Sequence, residues 1–404
     1  MKILQIFNKV PYPPKDGGSI AVTALAEGFA KAGNKVNILC LNTKKHYANI
    51  KKIKHHLPEN ISLHAVDINT DIKLTALIKN LLFSKKPYIA ERFMSPDFEK
   101  NLENTLKKEK FDIIQIEGLY MMPYIKTIKK HTDAAISFRA HNIEHEIWQL
   151  NLKKEKNPVK KTYLKILVKR LKKFETSFLD KYDCIIPITE RDGKIFRKLG
   201  NKKPVHVSPA GIDTKKYNTK QQDFSEIKLF HLGSLDWTPN IEGLLWFLKN
   251  VWTKLSETYP DLTFTLAGRN ISEKFKKHLS TYKNVIFKGE TDDAIKFMNE
   301  HNTMPVPLFS GSGMRIKIIE GMACGNVIIS TPKGAEGIHA ENGKEILIAE
   351  TPDDFVKQIN TIISNRKKAK QISDAAKHFV SVNFDNFAIS ESLLNFYRRN
   401  IIKK

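Results

Sequence analysis

Cysteine is scarce in this chain: three residues, Cys40, Cys184 and Cys324, in 404. They stand far apart with no CxxC or Cys/His spacing, which argues against a zinc site or a disulfide framework and fits a reducing compartment. No apolar run approaches the roughly eighteen residues that a bilayer-spanning helix needs. The opening MKILQIFNKVPYPP has a short apolar stretch and no small-residue cleavage site, so it reads as a first buried strand and not as a secretion signal. A cytoplasmic protein is expected. Neither GxxxxGK[ST] nor GxGxxG occurs. No acidic DxD pair stands at a strand end where it could hold a metal ion, and no recognition helix or aromatic-basic interleaving points to nucleic acid.

Acidic residues are the other shortage. Against 67 Lys and Arg there are 43 Asp and Glu, giving a formal net charge of +24 and a pI near 9.6. Such a field draws polyanions, whether nucleic acid, an anionic leaflet or a phosphorylated small molecule, although solvated lysines alone give the same sum.

What remains is ordinary globular material, 41% hydrophobic and 27% charged, in a chain too long for one core, so two domains are expected. Short β-branched segments (KILQIF, KVNILCL, ISLHAV, DIIQI, AAISFRA, CIIPIT) alternate with helix-period stretches such as 20–32. The rhythm restarts with IKLFHLG, LTFTLAG, NVIFKG, TMPVPLF, NVIIST and EILIA, with helices expected over 243–258, 314–324 and 352–365. This is the βαβ signature of parallel sheets covered on both faces. The join falls in 202–218, where Pro, Gly and Asp213 interrupt both periods. The expected domains are 1–205, with a C-terminal helix over 386–404 packing back on it, and 206–385.

From Asn151 to Phe174 ten Lys or Arg face one acidic residue. Leu164, Leu167, Val168, Leu171 and Phe174 form a helical stripe, describing a basic amphipathic helix that either lies on an anionic membrane surface or buries its stripe against the sheet. A second membrane candidate is IKLTALIKNLLFSKKP, 72–87.

The most informative stretch is GSGMRIKIIEGMACGNVIISTPKGAEGI, 311–338. Gly311, Ser312 and Gly313 make a turn between a strand and a helix, where backbone N–H groups and the positive helix end favour an anion. Arg315 and Lys317 add charge for phosphate oxygens. Glu320, one turn on, can accept bonds from two ribose hydroxyls.

Residues 304–338 resemble the donor-binding signature of the retaining family 4 glycosyltransferases, which have the two-domain GT-B fold. HLGSLDWTPNIEGLLWFL (231–248), SPAGID (208–213), RAHNIEHEIW (139–148) and PYPPKDGGS follow the order seen in those enzymes. The resemblance implies an α/β GT-B protein of two tandem doubly wound Rossmann-like domains facing a central cleft. It implies that Glu320 is the second glutamate of a paired motif and binds ribose, and that Arg315 and Lys317 hold the donor diphosphate. Gly17 and Gly18 then match the N-terminal loop that approaches phosphate and sugar. Gly233, Met314 and Arg269, the last in AGRN, join the donor-binding set. Ser312 replaces the first glutamate, and the Arg and Lys that many relatives carry after the first strand of the second domain are absent.

Glu117 ends DIIQIE and His141 ends ISFRAH, at the carboxyl edge of a parallel sheet. His141 is expected to bond a sugar hydroxyl and Glu117 to orient or deprotonate the acceptor, with Arg139, Asn142 and Glu144 as supporting network. The expected activity is transfer of a sugar from a nucleotide-diphosphate sugar to a saccharide or lipid-linked acceptor hydroxyl, with retention, no metal and no other cofactor. The location expected is the cytoplasm or the inner face of its membrane. A nucleotide-sugar epimerase, a non-catalytic carbohydrate-binding scaffold and a nucleic-acid-binding protein are the alternatives.

Overall fold

A computed structural model of the chain describes residues 1–14, 16–217, 221–311 and 313–402. Each of the twelve apolar segments forms a strand. The first six are β1 (Lys2–Phe7), β2 (Lys35–Thr43), β3 (Ile61–Ile68), β4 (Ile113–Glu117), β5 (Ala135–Ala140) and β6 (Cys184–Pro187). The second six are β7 (Leu229–Leu232), β8 (Phe264–Ala267), β9 (Val285–Gly289), β10 (Thr303–Val306), β11 (Val327–Ser330) and β12 (Leu347–Ile348). They pair in parallel as two sheets, ordered β3-β2-β1-β4-β5-β6 and β12-β11-β10-β7-β8-β9. Counted within its own sheet, each order reverses once, between β1 and β4 and between β7 and β10. At such a reversal the flanking helices leave to opposite faces, and the carboxyl ends of the strands open onto a ligand-sized gap.

The chain divides into two compact units, Met1–Gly211 with Asn386–Lys404, and Ile212–Asp385. Residues 204–208 stay with the first unit, past the expected 205/206 edge, because the Ile185 amide donates to Pro204 O and the Ser208 amide to Pro187 O, both at 3.0 Å. The helix Asn386–Asn400 belongs there too. Its Ile389, Leu393, Leu394 and Tyr397 share a core with Val22, Leu25 and Phe29 of the helix Gly17–Lys31. Tyr397 is fully buried. Its hydroxyl donates to Gln115 Oε1 at 2.8 Å and lies 2.8 Å from Ser137 Oγ.

The continuous basic helix expected over 151–174 is two helices, Glu144–Lys154 and Pro158–Thr176. Pro158 has no N–H and disfavours helical backbone in the residue before it. Asn157 is accordingly extended, and its side chain accepts from the amides of Val159 and Lys160 at 3.0 and 3.1 Å, starting the second helix. The stripe turns inward: Leu167 and Leu171 are buried, and Phe174 packs on the core of the first unit. Those residues meet protein, while the lysines of that helix, with Val159 and Ile166, face outward. No helix of the described residues is long and apolar enough to cross a membrane.

Tyr397→Phe removes a buried hydroxyl that donates to Gln115 Oε1 and accepts from Ser137 Oγ, and leaves both without that partner. It is expected to lower the stability of the first unit by about 1–3 kcal/mol, read as a fall in its urea midpoint with the far-ultraviolet circular dichroism of the native protein unchanged.

Candidate active site

In the second unit the strand reversal brings β7 beside β10. His231 on β7 is buried, with Nδ1 3.3 Å from Pro305 O of β10. A carbonyl only accepts, so Nδ1 carries the proton and Nε2 presents a lone pair. Lys317 Nζ lies 3.1 Å from that Nε2 and donates to Asn240 Oδ1 at 3.0 Å. Asn240 is itself fixed by donating from Nδ2 to Ser234 O at 2.8 Å. Gly233 makes this convergence possible: a Cβ there would sit 2.9 Å from Asn240 Nδ2 and 3.3 Å from Lys317 Nζ.

The loop after β10 leads into the helix Ile316–Ala323. Gly311 has φ +110°, and a Cβ on it would lie 2.7 Å from Arg315 Nη2 and 3.0 Å from the Trp237 ring. Ser312, expected in the anion turn and at the first-glutamate position, lies outside the described residues. Arg315 occupies the helix N-cap, where its own side chain makes no cap bond and the first turn holds no acidic residue. Its guanidinium is buried, donates from Nη1 to Gly313 O at 2.8 Å and lies 5.2 Å from the Trp237 ring centroid.

Two cations are thus set against the positive end of a helix, which disfavours cations. Burial, then the charge of Arg315, pulls the Lys317 ammonium down to about 7. Burial likewise pulls Arg315 down to about 10, partly opposed by Glu336. Burial and the charge of Lys317 hold His231 well below the ordinary histidine range, keeping it neutral. An anion placed here would relieve the repulsion and gain the backbone donors of the first turn.

Other members of the expected donor set surround this point. Glu320, three residues after Lys317 on the same helix, accepts from Tyr217 OH at 2.8 Å through Oε1. Burial raises its carboxyl while the Tyr217 bond opposes that. A carboxylate offers about four lone-pair sites, so a vicinal diol can still bind. Arg269 O accepts from the Leu235 amide at 2.9 Å, tying the turn after β8 to the one after β7. Met314 is half-buried in the loop after Gly313.

The first unit builds a different centre at its own reversal. Glu117 ends β4 and is 1% exposed. Oε1 accepts from Gln115 Nε2 and from Gln5 Nε2, the latter at 3.3 Å, while Oε2 lies 2.6 Å from His141 Nε2. Burial pushes the carboxyl up, but buried Arg139 and the His141 bond outweigh it and leave Glu117 below its usual range, hence ionised. Arg139 is anchored by Nη1 on Ala21 O at 2.9 Å. Glu117 was expected to orient or deprotonate an acceptor; in the structure both its oxygens accept hydrogen bonds and its carboxyl is closed to solvent. The ionised carboxylate accepts the Nε2 proton of His141 and leaves Nδ1 as the ring nitrogen facing away from it. Nδ1 looks toward Gly18, whose Cβ position is 3.9 Å from it. Gly17 and Gly18 open the first helix, capped by Asp16, which Lys9 pairs at 2.6 Å.

Arg139 joins Glu117, whereas Glu144, with Asn142, forms a neighbouring group: Glu144 accepts from Tyr120 OH at 2.7 Å, and burial raises its carboxyl to about 7. Glu175 accepts from the Glu144 amide at 2.9 Å and from His145 Nδ1. Among the described residues no cluster of three or more His, Cys, Asp or Glu side chains could hold a metal ion.

With this geometry in hand, comparison with known proteins is direct. A family model described as "Glycosyltransferase Family 4" matches residues 15–216, and one described as "Glycosyl transferases group 1" matches 226–365. Among curated proteins, an "Uncharacterized 44.6 kDa protein in cps region" of Klebsiella pneumoniae is 22% identical, covering 97% of this chain and 98% of that protein. The "Uncharacterized glycosyltransferase MJ1069" of Methanocaldococcus jannaschii is 22% identical over 51% of this chain and 55% of that protein. Among solved structures, Anabaena HepE in complex with UDP has a TM-score of 0.70 at 14% identity, covering 98% and 100% of the two chains. Sucrose-phosphate synthase from Thermosynechococcus elongatus has a TM-score of 0.71 at 15% identity, with 99% of each chain covered.

Matching families and a shared fold of two Rossmann-like domains define a GT-B glycosyltransferase. The chain belongs to the family that the first of those models describes, glycosyltransferase family 4, which spans half of its length.

Several site residues escape a reading by motif. His231 closes an apolar strand just before Gly233, and Asn240 sits in the first helical turn after Trp237; the signal was a polar residue in an otherwise apolar segment. Tyr217 and Glu175 carried no local signal. Because Lys317 titrates near 7 when empty and an anion raises that value, binding takes up a proton. Inorganic pyrophosphate should therefore bind progressively more weakly as pH rises through about 7, by at most tenfold per pH unit, and titration calorimetry should lose this dependence in Lys317→Met.

Proposed function

We propose that the protein transfers a sugar from a nucleotide-diphosphate sugar to the hydroxyl of a saccharide or lipid-linked acceptor, with retention of anomeric configuration and without a metal ion. The observation that carries this reading is the pair of cations, Arg315 and Lys317, held at an uncapped helix start with no carboxylate partner on Lys317. As the bond between the anomeric carbon and the diphosphate oxygen breaks, negative charge grows on the leaving group. Arg315, Lys317 and the first-turn amides stabilise it there, in place of a cation. Glu320 takes the ribose hydroxyls, and the turns carrying Gly233 and Arg269 border the nucleotide. His141 accepts a sugar hydroxyl through Nδ1, with Glu117 and Arg139 as its support. No carboxylate nucleophile is needed.

UDP in the Anabaena structure, and UDP-2-fluoro glucose in an Escherichia coli structure with a TM-score of 0.63 and 13% identity, support a nucleotide-sugar donor. The Klebsiella relative in a cps region supports a place in polysaccharide synthesis.

A panel of UDP-, GDP- and ADP-sugars should yield one class that raises the melting temperature, since a ligand of the native state alone stabilises it. With that donor, Arg315→Ala and Lys317→Ala should each lower kcat by about a hundredfold or more, EDTA should leave the rate unchanged, and NMR of the product should show the donor's anomeric configuration. Turnover at the native rate in both variants, or sugar products formed from donor alone, would sink the reading.

His141→Ala should cost more turnover than Glu117→Gln, which keeps the hydrogen bond and loses the charge. Comparing the two kcat values at equal melting temperature checks whether Glu117 acts through His141.

A further inference from the structure

The helix Leu74–Phe83 is apolar on two faces. Helices on a water-facing surface turn apolar residues inward and polar ones outward; here Ala76, Leu77 and Leu81 are half-buried around buried Asn80, yet Leu74, Ile78 and Leu82, spaced four apart, face outward. With Ile72 and Phe83 these side chains are between 49% and 82% exposed. Polar bonds add to the inward apolar contacts. Asn80 Nδ2 donates to Glu91 Oε2 at 2.6 Å and to Lys86 O at 3.1 Å. Arg170, from the basic helix Pro158–Thr176, donates to Asn80 O at 3.2 Å and to Leu81 O at 2.8 Å. Hydrogen bonds hold the element in place so that its apolar stripe stays outside.

We propose that this helix is a docking element for an anionic lipid bilayer, seated in the interface with Leu74, Ile78, Leu82 and Phe83 among the acyl chains. The flanking charge selects the occupant. Lys73, Lys79, Lys85 and Lys86 surround the stripe, and no acidic residue lies between Ile72 and Pro87. The helix tied to it by Arg170 adds exposed lysines, Lys165, Lys169 and Lys172 among them. An apolar stripe rimmed by lysines meets both its needs at once at an anionic membrane surface. A second copy of the chain fits badly, since a two-fold contact through this face would set lysine against lysine. The basic helix supplies charge and the helix Leu74–Phe83 supplies insertion, since of the two readings open for the stripe of the basic helix the structure shows burial against protein. The inference does not depend on the donor assignment above, and its test does not use turnover.

Full-length protein is sedimented with vesicles of equal parts phosphatidylglycerol and phosphatidylcholine, and with phosphatidylcholine alone. The expected result is binding to the first and little to the second, with a loss of about tenfold or more in partitioning for Leu82→Ser combined with Phe83→Ser. Both positions are exposed, so the melting temperature should stay unchanged. In Phe83→Trp, anionic vesicles should shift the emission to the blue. Equal sedimentation of the double variant and the native protein would overturn the proposal. So would a native protein that ignores vesicles and instead forms a dimer, by analytical ultracentrifugation, that the double variant cannot form.

Discussion

A cation with its water removed, placed at the positive end of a helix, is an unfavourable arrangement, and the second unit is constructed to hold one. Lys317 meets two neutral acceptors, His231 Nε2 and Asn240 Oδ1, and no carboxylate. Each neighbour supports the ammonium without neutralising it. A carboxylate in either place would stabilise the empty unit and would then compete with any entering anion. The tautomer of His231, set by Pro305 O, the close approach permitted by Gly233 and the turn at Gly311 all serve that single constraint. The arrangement costs stability while no anion is bound.

The first unit solves its own strand reversal in the opposite way. Glu117 and Arg139 are both buried and oppositely charged, and two glutamines with Tyr397 join them in one network, in which Arg139 Nε and Nη2 and Gln5 Oε1 make no hydrogen bond among the described residues. Only His141 extends from it, with its tautomer decided by the ionised carboxylate behind it. One unit therefore offers concentrated positive charge, the other a single oriented acceptor on a neutral base. The C-terminal helix is part of that base, because Tyr397 reaches across the core to Gln115 and Ser137.

Much of the fold was legible locally. All twelve strands follow from runs of buried β-branched residues, and the glycine turn with Arg315 and Lys317 between a strand and a helix could be placed before any geometry existed. Less was legible where two readings shared one pattern. A helical apolar stripe does not say what covers it: Leu167 and Leu171 turned into the core, whereas Leu74, Ile78 and Leu82 turned out. The break at Asn157 was written in the Asn-Pro pair, but the surrounding lysine run suggested a single helix. Glu117 looked like a reactive strand-end carboxylate, and its closure depends on Gln5, Arg139 and His141, which arrive from other strands.

Sequence alone determined the parallel α/β architecture, the family and the glycine-basic loop, because periodicity, turn chemistry and motif spacing are properties of neighbouring residues. Tertiary structure alone decided that Lys317 rests on His231 and Asn240, 86 and 77 positions away, that Glu117 bonds His141, and that Asn80 is buried while Leu74, Ile78 and Leu82 face outward. Those outcomes depend on burial and charge in three dimensions, where residues distant along the chain meet and the cost of removing water from each group is settled.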